Sequence, residues 1–145
     1  MLLSAFQFLA IVACTLFTGA ALYVTLVEHP ARMSSDTRTA ATAWAPSYRR
    51  ATMMQASLAV VGFIAAFGAW RSGATLMWLI GGLLIGSVVP FTLVVIKPIN
   101  DKLLAPGRDL ASAETRALLV QWGKLHAVRT ALGLAASVVF VCLVT

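Results

Sequence analysis

From Leu2 to Val27 the chain carries no charged side chain. A run of that length can cross the roughly 30 Å of bilayer hydrocarbon, which takes about 20 helical residues. Two more such runs follow: Thr52–Trp70, TMMQASLAVVGFIAAFGAW, and Ser72–Ile96, SGATLMWLIGGLLIGSVVPFTLVVI. Lipid offers no hydrogen bonds to the backbone, so each run must satisfy its own N–H and C=O groups as a helix. A fourth run, Thr130–Thr145, is too short alone; a full span must begin near Trp122 or Leu125 and takes in His126 and Arg129. The expected fold is all-α: an integral membrane four-helix bundle in a single domain, with spans near 2–27, 50–70, 73–96 and 120–144.

Composition agrees with this. Hydrophobic residues make up 60% of the chain and charged residues 11%, against about 45–50% and about 25% in soluble domains. A net charge of +6 raises the question of nucleic acid. Its distribution points elsewhere, because there is no basic helix, RNA-binding signature or zinc-ligand spacing. The bases sit between the apolar runs: Arg32, Arg38, Arg49 and Arg50 in loop one, and Lys97, Lys102, Arg108 and Arg116 in loop three. The turn between the second and third runs has only Arg71. By the positive-inside rule, loops one and three are expected in the cytoplasm and both termini outside, in a bacterial-type inner (plasma) membrane. The first run has no Lys or Arg ahead of it and exceeds a signal-peptide core, so it is expected to persist as a helix. Cys14 and Cys142 lie in apolar runs and read as small buried hydrophobes, not as a disulfide or metal pair.

Local signals refine the outline. Ser34-Ser35-Asp36 can cap a short surface helix in loop one, and Pro46 can open the second span. Pro90 is expected to kink the third span. Gly81, Gly82 and Gly86 permit close helix packing there.

The polar residues fall on one side of this layout. Glu28, His29, Tyr48, Gln55, Thr92, Lys97, Asn100, Trp122, His126 and Arg129 all lie toward the end of the bundle that bears loops one and three. Trp122, His126, Arg129 and Gly133 are spaced by four, three and four, which puts them on one helical stripe, while Lys124 points elsewhere. Arg129 lies about 24 Å along a helix from the C-terminus. Facing lipid, it would cost a few kcal/mol even on insertion scales. The stripe is therefore expected to face the interior, with Glu28 as counter-ion to Arg129. Glu28 or His29 is expected within reach of His126 or Arg129. Each residue also has a structural reading: Glu28 and His29 as polar helix ends, Lys97 as an anchor, Trp122 as an interfacial aromatic, Asn100 as a cap, and Tyr48 and Gln55 as packing groups.

Three segments carry a resemblance. EHPAR after the first span, PFTLVVIKPIN closing the third and WGKLHAVRTALGL opening the fourth resemble a family of small four-helix membrane proteins that includes the fungal anthrone oxygenases. The likeness runs from about Gly19 to Ala136, and the family's motif positions fall on His29, Pro30, Pro90, Pro98, Asn100, Trp122, His126 and Arg129. The resemblance implies an oxygenase-like membrane enzyme acting on a lipophilic phenolic or anthrone-type molecule. His126 or His29 would be the base that removes a methylene proton. Arg129, Asn100 or Lys97 would hold the resulting oxyanion. Trp122 and Tyr48 would stack on the substrate, and Glu28 and Gln55 complete the expected contacts. O2 would then react with the anion directly. No nucleotide-binding loop is present, so no flavin is expected.

Two other readings stay open. His29, His126 and Glu28 are a ligand set for iron, haem or another transition metal. On a regular helix Glu28 and His29 diverge by about 100°, an objection that a break at Pro30 would remove. The chain can also be a non-enzymatic lipid- or quinone-binding or accessory protein. The partners expected are a lipophilic small molecule and the bilayer, with a homo-oligomer left open and no nucleic acid.

Overall fold

A computed structural model describes all 145 residues, Met1–Thr145. It contains four long helices: α1, Leu2–Met33; α2, Thr37–Arg71; α3, Leu76–Leu103; and α4, Ala113–Cys142. Each is long and apolar enough to cross a membrane, and the chain is a multi-pass membrane protein. The helices run up and down around a ring, each packed on its two neighbours. Both termini lie at one end. There Phe6 of α1 fills the space beside Gly68 of α2, and Trp78 of α3 stacks on Phe140 of α4 at 5.2 Å.

The terminal half of the bundle is an apolar core, mainly of Ala, Phe, Trp and Ile side chains. Glycine makes its tight contacts possible. A Cβ at Gly81 would meet the Phe140 ring at 2.5 Å, and one at Gly82 would lie 2.9 Å from Cβ of Ala66. A second apolar cluster, including Trp44, Ile96, Leu119 and Trp122, occupies the loop end. Between the two lies a band of buried polar side chains: Thr18, Gln55, His126, Arg129, Thr130 and Ser137. Cys14 belongs to the core beside Ser137, whereas Cys142 is exposed, contrary to its reading as a buried hydrophobe.

The helices extend well past the apolar runs at the loop end. Asp36 caps α2 itself, accepting from the Thr39 amide at 3.0 Å. No separate surface helix forms, and Pro46 lies inside α2 instead of opening it. The Ala-rich stretch from Thr37 continues the helix because Ala40, Ala41 and Trp44 bury one face. Loop three shrinks likewise. Lys97–Leu103 continues α3, and Ser112 caps α4 through the Thr115 amide at 3.1 Å.

Pro90 sits within regular helix, and the irregularity in α3 comes just after it. Two π-helical turns, Val24–Glu28 in α1 and Thr92–Ile96 in α3, occupy matching places. In each, the next amide reaches five residues back, His29 to Val24 and Lys97 to Thr92. Pro30 and Pro98 come next. A proline has no N–H to give and its ring clashes with the carbonyl four residues back. A widened turn takes up both defects, so neither helix breaks.

Candidate functional site

The site is assembled from α1, α2 and α4 around Trp122. The His126 ring stacks on Trp122 at 4.9 Å, one helical turn along α4. His29 comes from α1, just past the π turn, and tilts against the same indole at 5.2 Å. It reaches so far in because position 123 is glycine: a Cβ there would lie 2.5 Å from Nε2 of His29. Trp44 meets Trp122 edge-on at 5.8 Å and stacks on Tyr48 at 4.9 Å. The Tyr48 hydroxyl accepts from Asn100 of α3 at 3.0 Å. The expected convergence of His29, Tyr48, Asn100, Trp122 and His126 is therefore present.

The hydrogen bonds around His126 assign its tautomer. Thr130 Oγ1 lies 3.3 and 3.2 Å from the carbonyls of Ala21 and His126, and 2.8 Å from Oγ1 of Thr25. Thr25 Oγ1 lies 3.0 Å from Nδ1 of His126. One arrangement uses every proton: Nδ1–H donates to Thr25, Thr25 donates to Thr130, and Thr130 donates to a backbone carbonyl. The reverse direction leaves the carbonyl contacts without a proton. Nε2 then carries the lone pair. No protein group bonds it, and His126 lines the cavity at the centre of the site.

Arg129, one turn deeper, is buried, and its Nη2 donates to Gln55 Oε1 at 3.1 Å. Its guanidinium also lies 5.8 Å from the centre of the Phe17 ring, within cation–π range. It has no carboxylate partner. Glu28 is not its counter-ion, because that carboxylate is ion-paired with Arg32 one turn along α1 and accepts from Ser47 of α2. The i,i+4 spacing brings Arg32 to Glu28 at no cost in chain reach. Arg32, read from sequence as a loop base, is buried and lines the cavity. Lys97 departs in the other direction. It is exposed and paired with Asp101 at 2.6 Å, because Ile96, Ile99 and Asn100 take the inner face of that turn. With Glu28 so engaged, it does not join His29 and His126 in a three-ligand group.

The cavity is bounded by Arg32, Tyr48, Gln55, Trp122, His126 and Arg129. Its free volume is about 10 Å³, room for about one water. Beside it, a cleft of about 90 Å³ runs between α2 and α3 and shares Thr52 and Arg129 with it. Five buried side-chain polar atoms have no hydrogen-bond partner: His29 Nδ1, Trp44 Nε1, Asn100 Oδ1, Trp122 Nε1 and Arg129 Nε. All five lie in the half of the bundle that holds the site. Three of them, the two indole groups and the guanidinium Nε, are obligate donors. Buried donors are normally paired; of these three, Trp122 and Arg129 belong to residues that line the cavity.

The fold and the site define a class: a four-helix membrane protein with a buried pocket, cationic and aromatic, at one end of the bundle. The chain belongs to the anthrone oxygenase family, whose profile matches residues 44–139. It is 31% identical over 144 residues to the anthrone oxygenase tpcL of Aspergillus fumigatus, across 91% of this chain and 88% of that protein. No solved structure matches it.

Proposed function

We propose that the protein is a membrane oxygenase that converts a lipophilic anthrone-type phenol to the corresponding quinone, with His126 as the base. The observation that carries this reading is the pairing of an unbonded imidazole nitrogen with an uncompensated guanidinium on one cavity. An anthrone methylene is acidic because its anion places charge on the ring carbonyl oxygen. Nε2 of His126 takes the proton, and Arg129, held by Gln55, receives the oxyanion in a low-dielectric site. The electron-rich carbon then adds O2 and a proton to give a hydroperoxide. Loss of water from that hydroperoxide leaves the new carbonyl, so one oxygen atom enters the product and the other leaves as water. The chemistry draws its electrons from the substrate and needs neither flavin nor metal.

The indole of Trp122 and the phenol of Tyr48 offer faces on which a flat ring can lie. His29 does not line the cavity; it packs on Trp122 and acts by fixing that indole. The bases of the loop end support a cytoplasmic placement of the site, in a plasma-type membrane.

The test is oxygen uptake by purified protein with an anthrone, set beside His126→Ala and Arg129→Gln. Loss of general-base catalysis typically costs about 10²–10⁴-fold. Both variants are expected to lose at least that lower factor in kcat. An unchanged rate in His126→Ala removes it as the base. Failure of the wild type to consume O2 with any anthrone removes the oxygenase reading.

A further inference from the structure

The cavity beside His126 holds about one water, so a ring system needs a way in and space to lie. The loop end offers no such route, since Trp44, Trp122 and Leu119 close it as packed core. The cleft between α2 and α3 is different. Ala56 of α2 and Val88, Val89 and Leu93 of α3 make its walls apolar, and it ends on Thr52 and Arg129. Ala56 and Leu93 are exposed on the bundle's outer surface, which in this protein is the surface presented to lipid. The inner end of an otherwise greasy groove is thus a buried arginine whose Nε has no partner.

We infer that this cleft is a lateral portal and binding groove through which a planar phenolic ketone passes from the hydrocarbon, oxygen first, to Arg129. The inference rests on the oxygenase reading for the occupant's identity and goes beyond it in assigning the route and the subsite. Charge complementarity selects the occupant. The guanidinium has Gln55 but no acid, so it lacks a negative partner, while the groove walls are mainly apolar. A molecule with a flat hydrocarbon body and an anionic or strongly accepting oxygen at one edge satisfies both ends. A lipid acyl chain satisfies only the walls. The π turn Thr92–Ile96 borders the groove on α3. Its carbonyls are bonded less regularly than those of an α-helix, so this is where α3 can part from α2.

The test uses full-length protein in phosphatidylcholine nanodiscs with 1,8-dihydroxyanthraquinone as the probe, followed by quenching of tryptophan fluorescence. Trp44 and Trp122 at the site report its arrival. Ala56→Phe blocks the groove from its lipid side, and Leu93→Ala widens its mouth. Val60→Phe, one turn along the exposed face of α2 and outside the groove, is the control. Saturable quenching in the wild type is expected. It should be slowed about tenfold or more by Ala56→Phe, speeded by Leu93→Ala and unaltered by Val60→Phe. Circular dichroism melts check that each variant is folded. Equal quenching rates in wild type, Ala56→Phe and Leu93→Ala would overturn the portal, as would absence of saturable quenching in the wild type. Gated quenching without turnover of any anthrone would keep the portal and sink the oxygenase reading instead.

Discussion

Gly123 has no side chain, and that absence is what lets the imidazole of His29 lie against α4. An interior helix glycine costs about 1 kcal/mol relative to alanine. The one in WGKLH is therefore a readable sign of close approach, but it is masked by the more conspicuous Trp122 and His126 beside it. Thr25 is less readable still. A threonine in an apolar run is ordinary, and only the tertiary fold brings it to Nδ1 of His126, 101 residues away. Together Thr25 and Thr130 fix which ring nitrogen bears the proton. Thr25→Val keeps the shape and removes the hydroxyl. Its kcat is expected to fall roughly tenfold to a hundredfold with KM little changed, and Thr25→Ser to restore most of it. A pH–rate profile measured alongside should move in Thr25→Val and return in Thr25→Ser. If valine leaves both rate and profile intact, the hydroxyl chain has no part in orienting the base.

At the scale of elements, the two π turns aim the side chains just beyond them. The extra residue re-phases the helix by about 100°, and in α1 this is what turns His29 onto Trp122 while Glu28 goes to Arg32 and Ser47. Restoring an amide at position 30 allows a regular bond to the Leu26 carbonyl. Pro30→Ala is therefore expected to lose turnover by about tenfold or more while its melting temperature holds or rises, since interior proline costs about 3 kcal/mol in a regular helix. Full activity in that variant would show that the wide turn does not position His29. The four spans themselves are plain in the sequence, because charge-free runs of that length have no other solution in lipid. Their extensions are not. Hydropathy ends where charge begins, at Arg50 and Lys97, but helix formation ends only where side chains stop packing. Trp44 and Asn100 carry α2 and α3 past those limits. The same reasoning misses Arg32, since an arginine in a loop and an arginine one turn after a glutamate look alike until the helix is known to continue.

For the whole molecule, the stripe of Trp122, His126 and Arg129 is legible from spacing alone, and so is its inward direction. The identity of the partner to Arg129 is not. Glu28 is the acid nearest the end of an apolar run on that side, but Arg32 lies close along the chain and takes it. The bundle is left with a buried cation that has the Gln55 amide and the Phe17 ring face but no carboxylate. Burying an unpaired charge opposes folding, and even a complete buried ion pair can often be replaced by apolar groups of similar volume with no loss or with a gain of about 1–4 kcal/mol. Arg129→Met is accordingly expected to melt no lower than the wild type in detergent while losing turnover. A marked drop in its melting temperature would mean that the guanidinium serves the fold. The small size of the cavity has a last consequence. If a ring enters by the inferred portal, it does so only when α2 and α3 separate, and in a bilayer that separation displaces the neighbouring lipid. The bilayer's own softness then enters the rate law. In vesicles of a single saturated phosphatidylcholine, turnover should break sharply at the temperature where the acyl chains freeze, and a smooth Arrhenius line through that point would mean that the helices part without the lipid's consent.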